Sequence, residues 1–318
     1  MKNELYLGID TSNYTTSAAL VDGEGNILCN AGKLLPVREG ERGLRQSDAV
    51  FAHVKNLPGI TEQIRETLAG RQPVAVGVSC RPCARDGSYM PCFLTGEAAA
   101  STAAAALGVP LYRFSHQCGH LAAAITSCGR EELYASRFGA FHVSGGTTEV
   151  LTATYAGETG GFTATVLGGS ADLHAGQVID RVGIMLGLSF PCGKELEKLA
   201  DSCTAGVPKP HICVRGCSAN LSGLENQAEK LYRETKDAAL VAAYVLDFIA
   251  ETLVALTDAL RMAEGPIPIL YAGGVMSDIR IRKRLSVFSD VAFADPALST
   301  DNAVGIADLC RRRHRGRP

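Results

Sequence analysis

Residues 5–9 are apolar, residues 10–16 are rich in hydroxyls and residues 17–21 return to a strand-like pattern, which predicts a hairpin with a polar tip. The turn Asp22-Gly23-Glu24-Gly25-Asn26 leads into a third strand from Ile27, an antiparallel start unlike the β-α alternation of a dinucleotide fold. A helix over 49–68, broken at Pro58, and a buried strand at 74–78 follow. The Ala-rich stretch 97–107 predicts another helix, which Gly108-Val109-Pro110 stops. A short strand at 111–114 then delivers the chain to Ser115-His116.

A second strand-turn-strand pattern covers 138–154, around Ser144-Gly145-Gly146-Thr147-Thr148. Beyond it the periodicity is mostly helical, over 172–188, 194–201 and 225–263 with a break near Lys236. The last strand, 267–271, closes on Ala272-Gly273-Gly274-Val275, and helices at 279–285 and 302–312 end the pattern. Two hairpin-initiated halves predict two related α/β lobes with a ligand cleft between them. The first lobe is expected over 1–115 and 297–318, the second over 136–296 with a helical insertion, and a helix at 116–135 bridges them.

Composition suits an ordered globular chain: 46% of the 318 residues are hydrophobic and 20% charged. The net charge of -2 offers no general footprint for nucleic acid, so an RNA contact would be local. Arg311, Arg312, Arg313, His314, Arg315 and Arg317 form the one basic cluster, which reads as a solvated, frayed terminus. Met1-Lys2-Asn3-Glu4 leads straight into a strand, and no stretch reaches the roughly 18 apolar residues of a membrane span, so a cytoplasmic protein is expected. The eleven cysteines then read as reduced thiols, the Cys80-x-x-Cys83 pair included, because no second CxxC follows at zinc-ribbon spacing.

Neither GxxxxGK[ST] nor GxGxxG occurs, so any phosphate must be held otherwise. Two turns qualify, Asp10-Thr11-Ser12-Asn13 and Ser144-Gly145-Gly146-Thr147, where small residues admit backbone N–H groups to an anion and hydroxyls add donors. Asp180 and Glu197 are candidate ribose acceptors, and Gly193 would let a nucleoside come close. His116 and His120, four residues apart on a helix, present two imidazoles on one face, and Gly119 leaves room for a ligand. Gln117 stands where zinc peptidases carry a glutamate base, which disfavours proteolysis. Asp301 offers a hard oxygen, and a mixed imidazole–carboxylate set suits Fe or Zn better than Mg or Ca.

Taken together the chain resembles the TsaD family of tRNA threonylcarbamoyladenosine synthases, within the actin-like ATPase superfamily. The resemblance rests on Gly8-Ile9-Asp10-Thr11-Ser12, His116-x-x-x-His120, Ser144-Gly145-Gly146, Asp180, Pro191-Cys192-Gly193 with Glu197, Ser222-Gly223-Leu224, Gly273-Gly274-Val275 and Thr300-Asp301-Asn302. It implies two actin-like lobes and a divalent Fe or Zn ion on His116, His120 and Asp301, with His142 a possible fourth ligand. It further implies ATP or threonylcarbamoyl-AMP at Asp10, Thr11, Ser12, Ser144, Gly145, Gly146, Thr147, Asp180, Gly193, Glu197, Gly273, Gly274 and Asp278. The implied activity is transfer of a threonylcarbamoyl group to tRNA adenosine, with TsaB-like and TsaE-like protein partners and a hetero- or homodimer. Departures at Leu173, Gln177, Glu225 and Asp278 make the chain read as a divergent paralogue. The alternatives are a carbamoyl transferase with a non-tRNA acceptor, an ATPase that activates a partner through a cluster on Cys80 and Cys83, or a non-catalytic partner subunit.

Overall fold

The computed structural model describes residues 4–12, 14–36, 44–157, 160–299 and 301–316. Asn13, Thr300, Arg317 and the first three residues, all singled out in the sequence, lie outside them. The chain divides into two units, Met1–Ser136 with Thr154–Thr163 and Ala297–Pro318, and Arg137–Ala153 with Ala164–Pro296.

Unit 1 opens with β1 (Leu5–Asp10), β2 (Thr15–Asp22) and β3 (Ile27–Leu34), an antiparallel meander. Its second turn is set by Asp22, whose carboxylate accepts the N–H groups of Glu24 at 2.8 Å and Asn26 at 2.9 Å, with Gly25 at positive φ. Helix α1 (Gln46–Leu68) runs through Pro58 without the expected break. The proline costs one ladder hydrogen bond, but Ala49, His53, Asn56, Ile60 and Ile64 bury one continuous stripe on both sides of it, and that packing outweighs the loss. Strand β4 (Ala75–Arg81), α2 (Phe93–Leu107) and β5 (Leu111–Ser115) add two parallel strands, giving the order β3-β2-β1-β4-β5. Helix α3 (His116–Cys128) starts directly at β5, because the Ser115 hydroxyl accepts the Cys118 N–H at 3.2 Å and caps it.

Unit 2 contains β6 (Phe138–Val143), β7 (Thr148–Ala156), β8 (Gly161–Ser170), α4 (Ala175–Met185), α5 (Gly193–Asp201), β9 (Cys213–Arg215) and β10 (Ser218–Asn220). It continues with α6 (Gly223–Thr235), α7 (Ala238–Glu264), β11 (Ile269–Ala272), α8 (Ile279–Leu285) and β12 (Val291–Phe293). The tip of the β7–β8 hairpin, residues 154–163, is counted with unit 1. The sheet order β12-β11-β6-β7-β8-β10-β9 repeats that of unit 1, with β6, β7, β8, β11 and β12 in the places of β1 to β5. The pairing directions repeat as well: β6 is antiparallel to β7 and parallel to β11, and β11 is parallel to β12. Strands β8, β9, β10 and β12 went unpredicted, β8 because of its glycines and the others because three residues carry no period.

Lys236, in the left-handed conformation, separates α6 from α7. By length and composition α7 could cross a membrane, against the sequence expectation, yet 72% of its apolar window is buried and it forms the spine of the unit 2 core.

The last helix, α9 (Val304–Arg315), belongs to unit 1 and packs on α3, β1, β2 and β4. Glycines bring these backbones together. A methyl at Gly305 would sit 1.9 Å from the Gly119 carbonyl oxygen, and one at Gly8 2.5 Å from the Ala307 nitrogen. Gly119 therefore serves helix packing, with Ile306 2.9 Å from where its Cβ would lie, and does not open space for a ligand. The basic cluster is not frayed either: Arg311 and Arg312 are buried and share the buried Asp308 carboxylate at 2.6–2.8 Å. The Arg312 guanidinium also lies over the Tyr134 ring, 3.4 Å from its centroid, and Tyr134 donates to Asp308 at 3.0 Å.

Candidate functional site

In unit 1 three candidate ligands meet. The Nε2 atoms of His116 and His120 are 2.8 Å apart, and Asp301 Oδ1 is 3.5 Å from the first and 3.3 Å from the second. All three ligand atoms lie within 4.8 Å of one another, the one such group of three or more His, Cys or acidic ligands among the described residues. Two ligands about 2.1 Å from one ion stand roughly 3.0 Å apart at a right angle and roughly 3.4 Å apart at the tetrahedral angle. The observed spacings, 2.8 to 3.5 Å, lie within about 0.2 Å of those values, so the donor set fits a divalent cation held on one face. Helix α3 supplies the imidazoles. Asp301 comes from the turn before α9, which Asn302 fixes by accepting the Val304 N–H at 3.0 Å and donating to the Leu298 carbonyl at 3.0 Å.

Asp10, fully buried at the end of β1, stands behind His116 with Oδ2 3.2 Å from Nδ1. Ser12 donates to the same carboxylate at 2.6 Å, and Ser79 donates to its other oxygen. Burial opposes protonation of His116, but the Asp10 and Asp301 carboxylates outweigh it and push its pKa up to about 10. Burial likewise works against the ionised forms of Asp10 and Asp301, and the facing imidazoles overcome it, holding both carboxyls below the usual range. The hydroxyls of the first turn point inward. Thr11 donates to the Cys92 carbonyl at 3.0 Å and accepts the Gly96 N–H at 2.9 Å, while Ser12 is committed to Asp10. Both hydroxyls are thus engaged with protein partners inside unit 1. Asp10 as a partner of His116 was missed because 106 positions of sequence separate them.

Unit 2 carries the other candidates. The Ser144–Gly146 turn lies against the first turn of α4, where the Gly176 N–H reaches the Ser144 carbonyl at 3.1 Å and a methyl at Gly176 would meet the Gly145 Cα at 2.6 Å. Gly145 and Gly146 are exposed, and a Cβ on either would meet nothing within 4 Å. Thr147 follows them, its carbonyl accepting the Ser144 N–H at 2.7 Å. Gly273 is obligatory, at φ 104° with a Cβ position 2.2 Å from the Val143 carbonyl oxygen, whereas Gly274 and Gly193 face open space. Asp180 accepts the Cys192 N–H at 2.8 Å at the start of α5, and Glu197 accepts the Ile279 N–H at 2.9 Å at the start of α8. Asp278 caps α8 through the Ile281 N–H at 2.9 Å. Burial, with Glu197 adding to it, pushes the Asp278 pKa up to about 6. His142 sits on β6 opposite Glu149 and is not in the three-ligand group.

The family departures have local roles. Gln177 accepts the His174 N–H at 3.0 Å, Glu225 pairs with Arg181 at 3.0 Å, and Leu173 packs on the unit 2 core. Asp172, the aspartate retained beside Leu173, ties the Ser222 turn to the start of α4 by accepting from Leu221 N–H at 2.7 Å and Ser222 Oγ at 2.6 Å. Cys80 and Cys83 point to the Phe114 carbonyl and the Ser88 hydroxyl.

Two units with one shared strand order, each opened by a hairpin, define a protein of the actin-like ATPase fold. Two solved structures share that fold along nearly the whole chain. The (R)-2-hydroxyglutaryl-CoA dehydratase component A of Acidaminococcus fermentans aligns with a TM-score of 0.54 at 13% identity, over 98% of this chain and 99% of that one. The activator of 2-hydroxyisocaproyl-CoA dehydratase from Clostridium difficile, with bound ADPNP, aligns at 0.53 and 12% identity, over 98% and 96%. Within that fold the chain belongs to the TsaD family, tRNA N6-adenosine threonylcarbamoyltransferase, whose family model matches residues 40–308. A Neorickettsia sennetsu protein of the same description is 29% identical over 321 aligned positions, 96% of this chain and 93% of that protein. The chain is therefore an enzyme of the transferase class.

Proposed function

We propose that this chain is a metal-dependent transferase that binds ATP or threonylcarbamoyl-AMP and passes the threonylcarbamoyl group to the N6 amine of a tRNA adenosine. The observation that carries the reading is the convergence of His116, His120 and Asp301. Two imidazoles and one carboxylate favour Fe²⁺ or Zn²⁺, and such an ion, when bound, supplies Lewis-acid polarisation of a carbonyl or phosphate oxygen. His116 and His120 offer Nε2 and Asp301 a carboxylate oxygen. The exposed amides of Gly145 and Gly146, beside the start of α4, suit a phosphate or a developing oxyanion. Asp180 and Glu197, each with one oxygen engaged, retain capacity for ribose hydroxyls, while Gly193 and Gly274 leave room for the nucleoside.

In the transfer, the N6 amine attacks the carbamoyl carbon. A C–N bond forms as the C–O bond to the adenylate breaks, AMP leaves with the electron pair, and the amine gives up a proton. The adenylate would come from a separate adenylate-forming enzyme, and TsaB-like and TsaE-like subunits are the expected partners in the cytoplasm. The test is incubation with threonine, bicarbonate, ATP, an adenylate-forming enzyme and tRNA, with mass spectrometry of the tRNA nucleosides. Threonylcarbamoyladenosine is the expected product. Adenylate turnover without modified adenosine would move the reading to a non-tRNA acceptor.

A further inference from the structure

Asp10 cannot serve a phosphate from where it lies: it is fully buried, and both of its oxygens are engaged. Ser12 donates to Oδ2 and Ser79 to Oδ1. These hydroxyls reach it from the turn after β1 and from β4, so the carboxylate is fixed from two elements. An ionised carboxylate only accepts hydrogen bonds, so the group 3.2 Å away on its remaining side, His116 Nδ1, is the one that carries a proton. A neutral imidazole protonated on Nδ1 has its lone pair on Nε2. That atom faces His120 Nε2 and Asp301 Oδ1.

We infer that Asp10 is a positioning residue that fixes the tautomer and ring orientation of His116, turning Nε2 into the three-ligand group, with Ser12 and Ser79 holding Asp10 in turn. The inference rests on the metal reading proposed above. Its physical basis is general: a ligating imidazole whose other nitrogen donates to a carboxylate is a stronger and better-aimed ligand than one left to choose its tautomer. It also accounts for a hydroxyl-rich turn whose side chains face inward.

The test uses the full chain, stripped of metal and titrated with Zn²⁺ against a chelating dye, together with ¹⁵N NMR of the histidine rings. Asp10→Asn keeps the shape but removes the carboxylate, and is expected to weaken Zn²⁺ binding by about 10- to 100-fold. In the zinc-loaded protein, where the ion has displaced the proton from Nε2, it should also shift the His116 ring from a single Nδ1-protonated form to a mixture of tautomers. Ser79→Ala loosens Asp10 without removing it, should lower affinity by less, and decides the matter if Asp10→Asn does not fold. Folded variants with wild-type Zn²⁺ affinity and an unaltered His116 tautomer would overturn the inference. A wild-type protein that takes up no Zn²⁺ or Fe²⁺ overturns the metal reading itself, which is a separate result.

Discussion

The same strand order carries opposite kinds of chemistry in the two units. In unit 1 the reactive groups are side chains gripped by other side chains: His116 by Asp10, Asp10 by Ser12 and Ser79, and Asp301 by the turn that Asn302 ties down. In unit 2 the candidates that face solvent are backbone, at Gly145, Gly146, Gly193 and Gly274, while the carboxylates of Asp180, Glu197 and Asp278 are occupied at helix starts. The two copies of the scaffold thus present different groups, clustered side-chain donors in one and exposed glycine backbone in the other. The difference teaches where substitutions should hurt. Unit 1 should lose its ligand through side-chain changes and packing errors, and unit 2 through changes that crowd or recharge its turns.

The largest effect is expected at His120→Ala, which removes one of three donors; Zn²⁺ affinity should fall beyond the ~100-fold reached by outer-shell changes, as read by equilibrium dialysis with metal analysis. Retained stoichiometric zinc would break the picture of unit 1. Gly305→Ala drives a methyl into the Gly119 carbonyl at 1.9 Å, and should cost about 3 kcal/mol in chemical denaturation along with a drop in zinc affinity, because α9 carries Asp301. Lost stability with unchanged zinc binding would uncouple packing from the site.

In unit 2, Asp278→Asn keeps the cap on α8 and removes a buried charge. The folded pKa of about 6 lies above the ordinary 3.8, so the carboxyl contributes full stability below about pH 4, and that contribution is lost as pH rises through 6. The variant should gain about 2 kcal/mol at pH 7.5 and flatten the stability profile between pH 4 and 6 in urea titrations. A profile identical to wild type would mean that Asp278 is not buried as described. The smallest change is expected from Gly146→Ala: stability within about 0.5 kcal/mol of wild type, because a Cβ there meets nothing within 4 Å, but nucleotide affinity lower by about tenfold in calorimetry. Unchanged nucleotide binding would remove that turn from the phosphate reading.

What was legible in the sequence follows the range of the interactions. The paired hairpins, the helix over 279–285, the break at Lys236 and the spacing of His116 and His120 are local patterns, and the structure holds each of them. Pro58 misled because the residues that keep α1 continuous do so by burying a face on β2, which no local rule contains. The arginines of α9 misled for a similar reason. Their i, i+3 and i, i+4 spacing from Asp308 is visible in the sequence, but the burial of that carboxylate beside Tyr134 is not. Gly119 invited a ligand-based explanation because its true neighbour, Gly305, lies 186 positions away.

That α9 completes unit 1 sets a schedule for biosynthesis. A ribosome makes β1 to β5 and α3 early, yet the surface that Gly8, Gly77 and Gly119 prepare stays uncovered until the whole of unit 2 has been translated. The third donor emerges only with residue 301, so nascent chains arrested before it should carry two imidazoles and retain no ion through gel filtration.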